Sequence, residues 1–203
     1  MIGDIRFEPA KKERLVLHNC IKMLYNRKKN FDFKTVSELA KTDYDDLTHS
    51  CTVNINDTLV KIKIVNEKIS TLGKSSGLLN FLENNQEHHK IIICEDIILR
   101  PFKEIIEYPQ TEIFWIKEFI INPVEHYLTP LHIPLSQEEK ENFLKEYNIK
   151  LKDLPTVLKI DTIVRYYNLK VDDVVKIVRP SISSGESVFY RKVTNCLWDK
   201  LFQ

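Results

Sequence analysis

Histidine and cysteine are the residues best able to hold a metal, and this 203-residue chain has six of the first and four of the second. His126 and His132 fall in the stretch "EHYLTPLHIPLSQEEK". Pro123, Pro130 and Pro134 remove backbone donors there and argue against a helix. An extended chain advances ~3.3 Å per residue, which separates the two imidazoles by roughly 20 Å. Zinc ligands sit about 2.0–2.1 Å from the ion, so this pair shares a metal only if the chain folds back. His88 and His89 are adjacent and point to opposite sides of a strand, or well apart on a helix. Cys20, Cys51, Cys94 and Cys196 form no C-x-x-C pair, and no cysteine–histidine spacing suits a structural zinc site. The pattern points to no metal site and no cofactor.

Hydrolytic chemistry finds no better footing. A metal-dependent nuclease couples acidic ligands to a Glu-x-Lys that helps orient the attacking water. Here Glu138-Glu139-Lys140 lies inside an S-x-x-E capping box, Ser136 to Glu139, at a helix start. Only four glycines are present, and neither phosphate-loop pattern occurs. No G-x-S-x-G marks a hydrolase nucleophile. Ser181, Ser183 and Ser184 read as turn residues. No catalytic residue and no small-molecule substrate is indicated.

Formal net charge is +1, so no global field marks a nucleic-acid binder. Residues 1–30 carry eight basic against three acidic side chains, net +5. Residues 31–121 come to −5 and residues 122–203 to +1. The basic "NRKKN", with Arg27, Lys28 and Lys29, suits a helix C-terminus; a phosphate-facing patch is the sharper alternative. Apolar runs such as "IIIC" are too short to span a bilayer. The polar start "MIGDIRFEPAKKER" is no secretory leader, which favours reduced thiols in cytosol or nucleus.

The elements that must position these residues follow from periodicity. Pro9 opens a helix in which Leu17, Ile21, Leu24 and Tyr25 recur, ending near Arg27. "TVSELAKTDYDDL" suggests a second short helix, capped by Thr35 or Ser37. "CTVNINDTLVKIKIV" alternates about an Asn56-Asp57 turn, a hairpin signal. Next come a helix ("SSGLLNFLENN"), a strand buried on both faces ("KIIICED"), a helix bounded by Pro101 and Pro109, and a strand ("TEIFWIKEF"). That order predicts an α/β layer for residues 1–121. Beyond it, a capped helix with Phe143, Leu144 and Tyr147, a short helix capped by Asp161, and the strands "DVVKIVR" and "SVFYRKV" predict a small α+β domain over residues 122–203. The fold class is therefore mixed, α/β followed by α+β.

The blocks Pro130-Leu131-His132, Leu144-Lys145-Glu146-Tyr147, Leu154-Pro155, Val164-Arg165-Tyr166, Val174–Ser181, Gly185 and Tyr190–Val193 occur in one order. In that order they resemble the C-terminal assembly domain of the fifth subunit of eukaryotic-type multisubunit RNA polymerases, a family that includes an archaeal equivalent. The N-terminal part is more loosely similar to the jaw domain of the eukaryotic members, an endonuclease-like fold without a catalytic motif. The archaeal equivalent lacks a jaw, so the chain resembles a eukaryotic or large-DNA-virus version. Asp161-Thr162 replaces the family's Asp-Pro, and Asn168 and Asp172 replace two glycines. Arg100-Pro101 replaces Thr-Pro near the jaw surface. These departures point to a divergent viral member.

The resemblance implies a non-catalytic structural subunit that docks on the largest polymerase subunit and flanks downstream duplex DNA through weak backbone contacts. It implies subunit-interface roles for Pro130, His132, Leu154, Pro155, Arg165, Tyr166, Arg179, Ser181, Tyr190 and Arg191. Arg100, Pro101 and Lys103, with Arg27, Lys28 and Lys29, become the DNA-proximal candidates. One of Arg165, Arg179 and Arg191 is expected to make a private core salt bridge. Beyond the family blocks, "TNCLWDKLFQ" pairs Leu197 with Leu201 and Trp198 with Phe202 at i,i+4, a short amphipathic helix whose Trp198 and Phe202 need cover. No membrane partner is implied. The setting is a virion or cytoplasmic viral factory for a viral protein, the nucleus for a cellular one. A free-standing DNA-binding or adaptor protein remains the alternative, and a nuclease the more distant one.

Overall fold

The computed structural model describes residues 9–27, 44, 45, 47–55, 58–74 and 77–195. Their fold divides between Ile121 and Asn122 into two compact units.

The first unit is built on a five-stranded sheet in the order β1-β2-β3-β4-β5. The strands are β1 (Tyr44–Asp45), β2 (Ser50–Ile55), β3 (Thr58–Ile69), β4 (His89–Ile97) and β5 (Thr111–Trp115). β1, β2 and β3 run antiparallel, while β4 lies parallel to both β3 and β5. Parallel neighbours need crossovers. Helix α2 (Leu78–Asn84) supplies the first and α3 (Leu99–Ile106) the second, and α1 (Pro9–Arg27) precedes the sheet. Ile91, Ile92, Ile93 and Cys94 are all fully buried, as a strand covered on both faces requires. Ile92 and Cys94 join Leu78, Leu82 and Ile105 in one core cluster. Ile91 lies in register with Ile62 and Glu112, on the face that α1 covers.

Two expectations change here. In the hairpin, Val60 is the buried partner of Val53, and Leu59 is exposed. The strand "TEIFWIKEF" stops at Trp115, and Ile116–Ile120 forms helix α4, because the Glu118 carboxylate accepts the Trp115 N–H and starts a helical turn. Tyr44–Asp45 is a strand, and the caps expected at Thr35 and Ser37 lie outside the described residues, as does the Asn56-Asp57 turn.

Lys90 holds the α2 end of this unit. It is fully buried, yet its Nζ donates to the carbonyls of Asn85 (3.0 Å), His88 (3.1 Å) and Pro109 (2.9 Å), with Gln86 at 3.4 Å. The ammonium thus satisfies carbonyls at the C-terminus of α2 and ties them to the loop before β5. Burial holds its pKa below the usual lysine range. Cys20, Cys51 and Cys94 are buried and form no disulfide; burial pushes the Cys20 thiol upward and Cys94 up to about 12, which disfavours the thiolate at both.

The second unit is a four-stranded sheet, β6-β8-β9-β7, of β6 (Leu131–Pro134), β7 (Thr156–Leu158), β8 (Val174–Ser181) and β9 (Gly185–Thr194). Helix α5 (Gln137–Glu146) begins with the expected capping box: Ser136 Oγ accepts the Glu139 N–H at 3.2 Å and Glu139 accepts the Ser136 N–H at 2.7 Å. α6 (Thr162–Tyr166) is capped by Asp161, whose Oδ1 accepts from Ile163 N at 2.9 Å and Val164 N at 3.5 Å. Asn168 and Asp172 adopt φ 51° and 70°, the left-handed region that the family's glycines would tolerate. Only Leu131–Pro134 of the proline-rich stretch is extended; upstream, the Thr129 N–H donates to His126 O at 2.8 Å in a turn. β7 has no signal in the sequence pattern, being three residues long and paired in parallel with β9.

Replacing Lys90 with Met keeps most of the stem and removes every donor. Lys90→Met should destabilise the chain by about 2–3 kcal/mol in urea unfolding, since the carbonyls it serves stay buried without a donor.

Candidate functional site

The register of β8 on β9 decides which side chains share a face. His132, Ile177 and Phe189 form one cross-strand row, and Pro134, Val175 and Arg191 form the next. Arg179 stands opposite Ser187 one row beyond. α6 lies over the inner end of this face, where Val164, Leu169, Val175 and Val193 make a small core. A groove of about 290 Å³ opens on this face, lined by His132, Val175, Ile177, Arg179, Phe189 and Arg191 together with residues of α6 and its flanks. The floor is apolar. Its Phe189 is 42% exposed, an unusual state for a phenylalanine at the centre of a sheet face.

The rim is basic. Arg179 and Arg191 are exposed, and the Arg179 guanidinium sits 4.5 Å from the Phe189 ring centroid. Neither has an ion-pair partner among the described residues. The one carboxylate in the lining, Asp161, is engaged as the α6 cap. His132 Nδ1 lies 2.7 Å from Pro130 O, so that nitrogen carries the proton and Nε2 is left for a further contact.

The opposite face of the sheet carries α5. Phe143 stacks on Tyr190 with centroids 3.9 Å apart, and Leu154 and Val174 complete that core. At its far end Leu131, Val178 and Val188 form a row, with Leu131 56% and Val188 45% exposed.

Pro130, His132, Arg179 and Arg191 thus come together at one groove. Others in the implied interface set do not. Leu154 and Tyr166 are buried in the unit's own core and have no surface to offer a partner. Tyr190 is half-buried under Phe143 on the other face. Pro155 is exposed, its carbonyl accepting from Lys192 N at 2.8 Å, and Ser181 sits at the hairpin turn. Arg165 is half-buried on α6. The core salt bridge expected for one of the three arginines is not seen at Arg179 or Arg191, because both reach solvent. Trp198 and Phe202 lie outside the described residues. Phe189, the groove's floor, is absent from the implied set; alternation in "SVFYRKV" puts it on one face with Arg191, which is the signal that could find it.

Among the DNA-proximal candidates, Arg100 and Lys103 are exposed on α3, Arg100 pairing with Glu104 at 3.1 Å. Pro101 is buried and cannot meet a nucleic acid. Arg27 turns inward instead: its two terminal nitrogens meet both Glu112 oxygens at 2.7 and 2.8 Å, and its side chain is 9% exposed. His89 Nε2 lies 2.7 Å from the same carboxylate. A bidentate carboxylate satisfies the charge that a phosphate contact would need. Lys28 and Lys29 lie outside the described residues. Among the described residues, no group of three or more His, Cys, Asp or Glu is placed to hold a metal ion, and no helix is long and apolar enough to cross a membrane.

Comparison with known proteins gives this geometry a context. Residues 121–193 match the family described as RNA polymerase Rpb5, C-terminal domain. Over 189 residues the chain is 30% identical to the DNA-directed RNA polymerase subunit 5 of Acanthamoeba polyphaga mimivirus, covering 90% of this chain and 92% of that protein. The chain belongs to the RNA polymerase subunit 5 family. It is also 28% identical over 202 residues to the DNA-directed RNA polymerase V subunit 5A of Arabidopsis thaliana, covering 98% of this chain and 83% of that one. A subunit of DNA-directed RNA polymerases I, II and III from Dictyostelium discoideum is 33% identical over 120 residues, 56% of this chain and 60% of its own length. The subunit 5 family match ends at Val193, so it takes in all of the groove-bearing sheet except Thr194, the last residue of β9.

The Arg27–Glu112–His89 cluster has a pH signature. Burial alone would raise the Glu112 pKa, but hydrogen bonds from His89 and Arg27 pull it down to about 2. A depressed carboxylate contributes stability in full above its unfolded value, near 4.5, and loses it as pH falls toward 2. The contribution is ~3 kcal/mol by linkage. Acid unfolding between about pH 4.5 and pH 2 should therefore flatten in Glu112→Gln, which should also be less stable at neutral pH.

Proposed function

We propose that this subunit 5 family member is a non-catalytic structural subunit of a multisubunit DNA-directed RNA polymerase, without an active site of its own. Its C-terminal unit serves as the assembly domain and docks on the largest subunit. Its N-terminal unit serves as a jaw that flanks downstream duplex DNA. The observation that carries the docking role is the groove: an open apolar floor, two exposed arginines and His132, all within the part of the chain that the family match covers.

The DNA role is weak and confined to backbone contacts. It rests on Arg100 and Lys103, exposed on α3, because Arg27 is already paired. The 30% identity to the mimivirus protein supports a viral setting, virion or cytoplasmic factory, over a nuclear one. Residues 195–203, with Trp198 and Phe202, add a further contact to the assembly domain or to a neighbouring subunit.

Affinity purification of the tagged full chain from its source should bring the two large polymerase subunits with it. Charge reversal at the groove, Arg179→Glu with Arg191→Glu, should cut that recovery at least tenfold while leaving thermal unfolding nearly unchanged, since both side chains are exposed. Truncation at Thr194 should weaken incorporation as well. Recovery of no large subunit overturns the reading. Strong, salt-sensitive DNA affinity in the free chain would instead favour an independent DNA-binding protein.

A further inference from the structure

The groove has a shape and a charge arrangement that select an occupant. Its volume of about 290 Å³ lies just below the range of small-molecule sites, and suits one or two inserted side chains. Its floor of Val157, Val164, Leu169, Ile177 and Phe189 offers no polar group to orient a metabolite. Phosphate contacts require no apolar concavity, so the floor argues for a polypeptide over a nucleic-acid backbone.

The spacing of the charges adds a second constraint. Arg191 lies opposite Val175 on β8, and Arg179 stands four residues further along that strand. At ~3.3 Å per residue, the two cationic positions lie roughly 13 Å apart along the face. Phe189 falls between them, two residues from Arg191 and in the row next to Arg179. No carboxylate in the lining is free to neutralise either arginine. An extended chain with acidic side chains three or four residues apart would meet both.

Building on the polymerase-subunit reading above, we infer that this groove receives a polypeptide segment of another polymerase subunit in which an apolar or aromatic side chain is bracketed by carboxylates. The apolar side chain inserts over Phe189. The carboxylates pair with Arg179 and Arg191, which are planar donors suited to bidentate contact.

The test uses the full chain inside its complex. A benzophenone amino acid replaces Phe189, or in a second variant Ser187, which faces Arg179 at the groove mouth. A third variant carries it at Ile182, fully exposed on the hairpin turn. Each polymerase is purified through the chain, irradiated and digested, and cross-linked peptides are sequenced. The expected result is that positions 189 and 187 both capture one segment of another subunit. That segment has an Asp or Glu within two residues on each side of an apolar residue, the two acids three or four residues apart. Its yield at position 182 should be at least tenfold lower. Capture of nucleic acid, of residues 196–203 of the chain itself, or of a segment without acidic residues overturns the inference, as does assembly without any cross-link from either groove position. If the unmodified chain brings no polymerase subunit, the functional reading fails with it; if it does and only the cross-link differs, this inference fails alone.

Discussion

The antiparallel register of β8 on β9, eight residue pairs from Val174–Lys192 to Ser181–Gly185, is the constraint on which the C-terminal unit depends. Side chains alternate across a sheet, so a slip of one residue would send Phe189 and Arg191 to the far face and bring Val188 and Tyr190 into the groove. Two features hold the register. Gly185 takes φ 75° at the hairpin turn, where a side chain would be strained. Tyr190 is pinned on the other face by Phe143, whose helix is itself fixed by the Ser136–Glu139 capping box. Packing on the opposite side of the sheet thus helps fix which side chains face the groove.

The N-terminal unit is organised by the opposite logic, turning its charges inward. Arg27, Glu112 and His89 close on one another, and Lys90 gives its donors to backbone carbonyls. Arg27, one of the eight basic residues in 1–30, is therefore not part of a free surface field, since Glu112, far along the chain, neutralises it. This is why a jaw that flanks DNA would do so weakly, through Arg100 and Lys103, and why a role as an independent DNA binder has less to stand on.

Signals that act within a few residues are legible in the sequence and survive intact: the Ser136 cap, the Asp161 cap, the buried Ile91–Cys94 run and the β8–β9 hairpin. The order of motif blocks carries the family. Interactions across long separations leave no such trace. Arg27 and Glu112 lie 85 positions apart, and no pattern near "NRKKN" reveals the partner. Tyr166 and Leu154 belong to the motif blocks, yet motif membership does not distinguish a residue that holds the fold from one that meets a partner; burial does. The end of β5 is hidden for a related reason: "IFWIKEF" alternates well enough for a strand, and only the Glu118 carboxylate on the Trp115 N–H commits the chain to a turn of helix.

The most direct measurement is a cryo-electron microscopy map of the transcribing polymerase purified through this chain. The account predicts that the C-terminal unit is seated on the largest subunit with the groove of Phe189, Arg179 and Arg191 covered by that contact, while the N-terminal unit lies beside downstream duplex DNA. A map in which the chain is absent, or in which the groove faces open solvent while another surface makes the attachment, would contradict it.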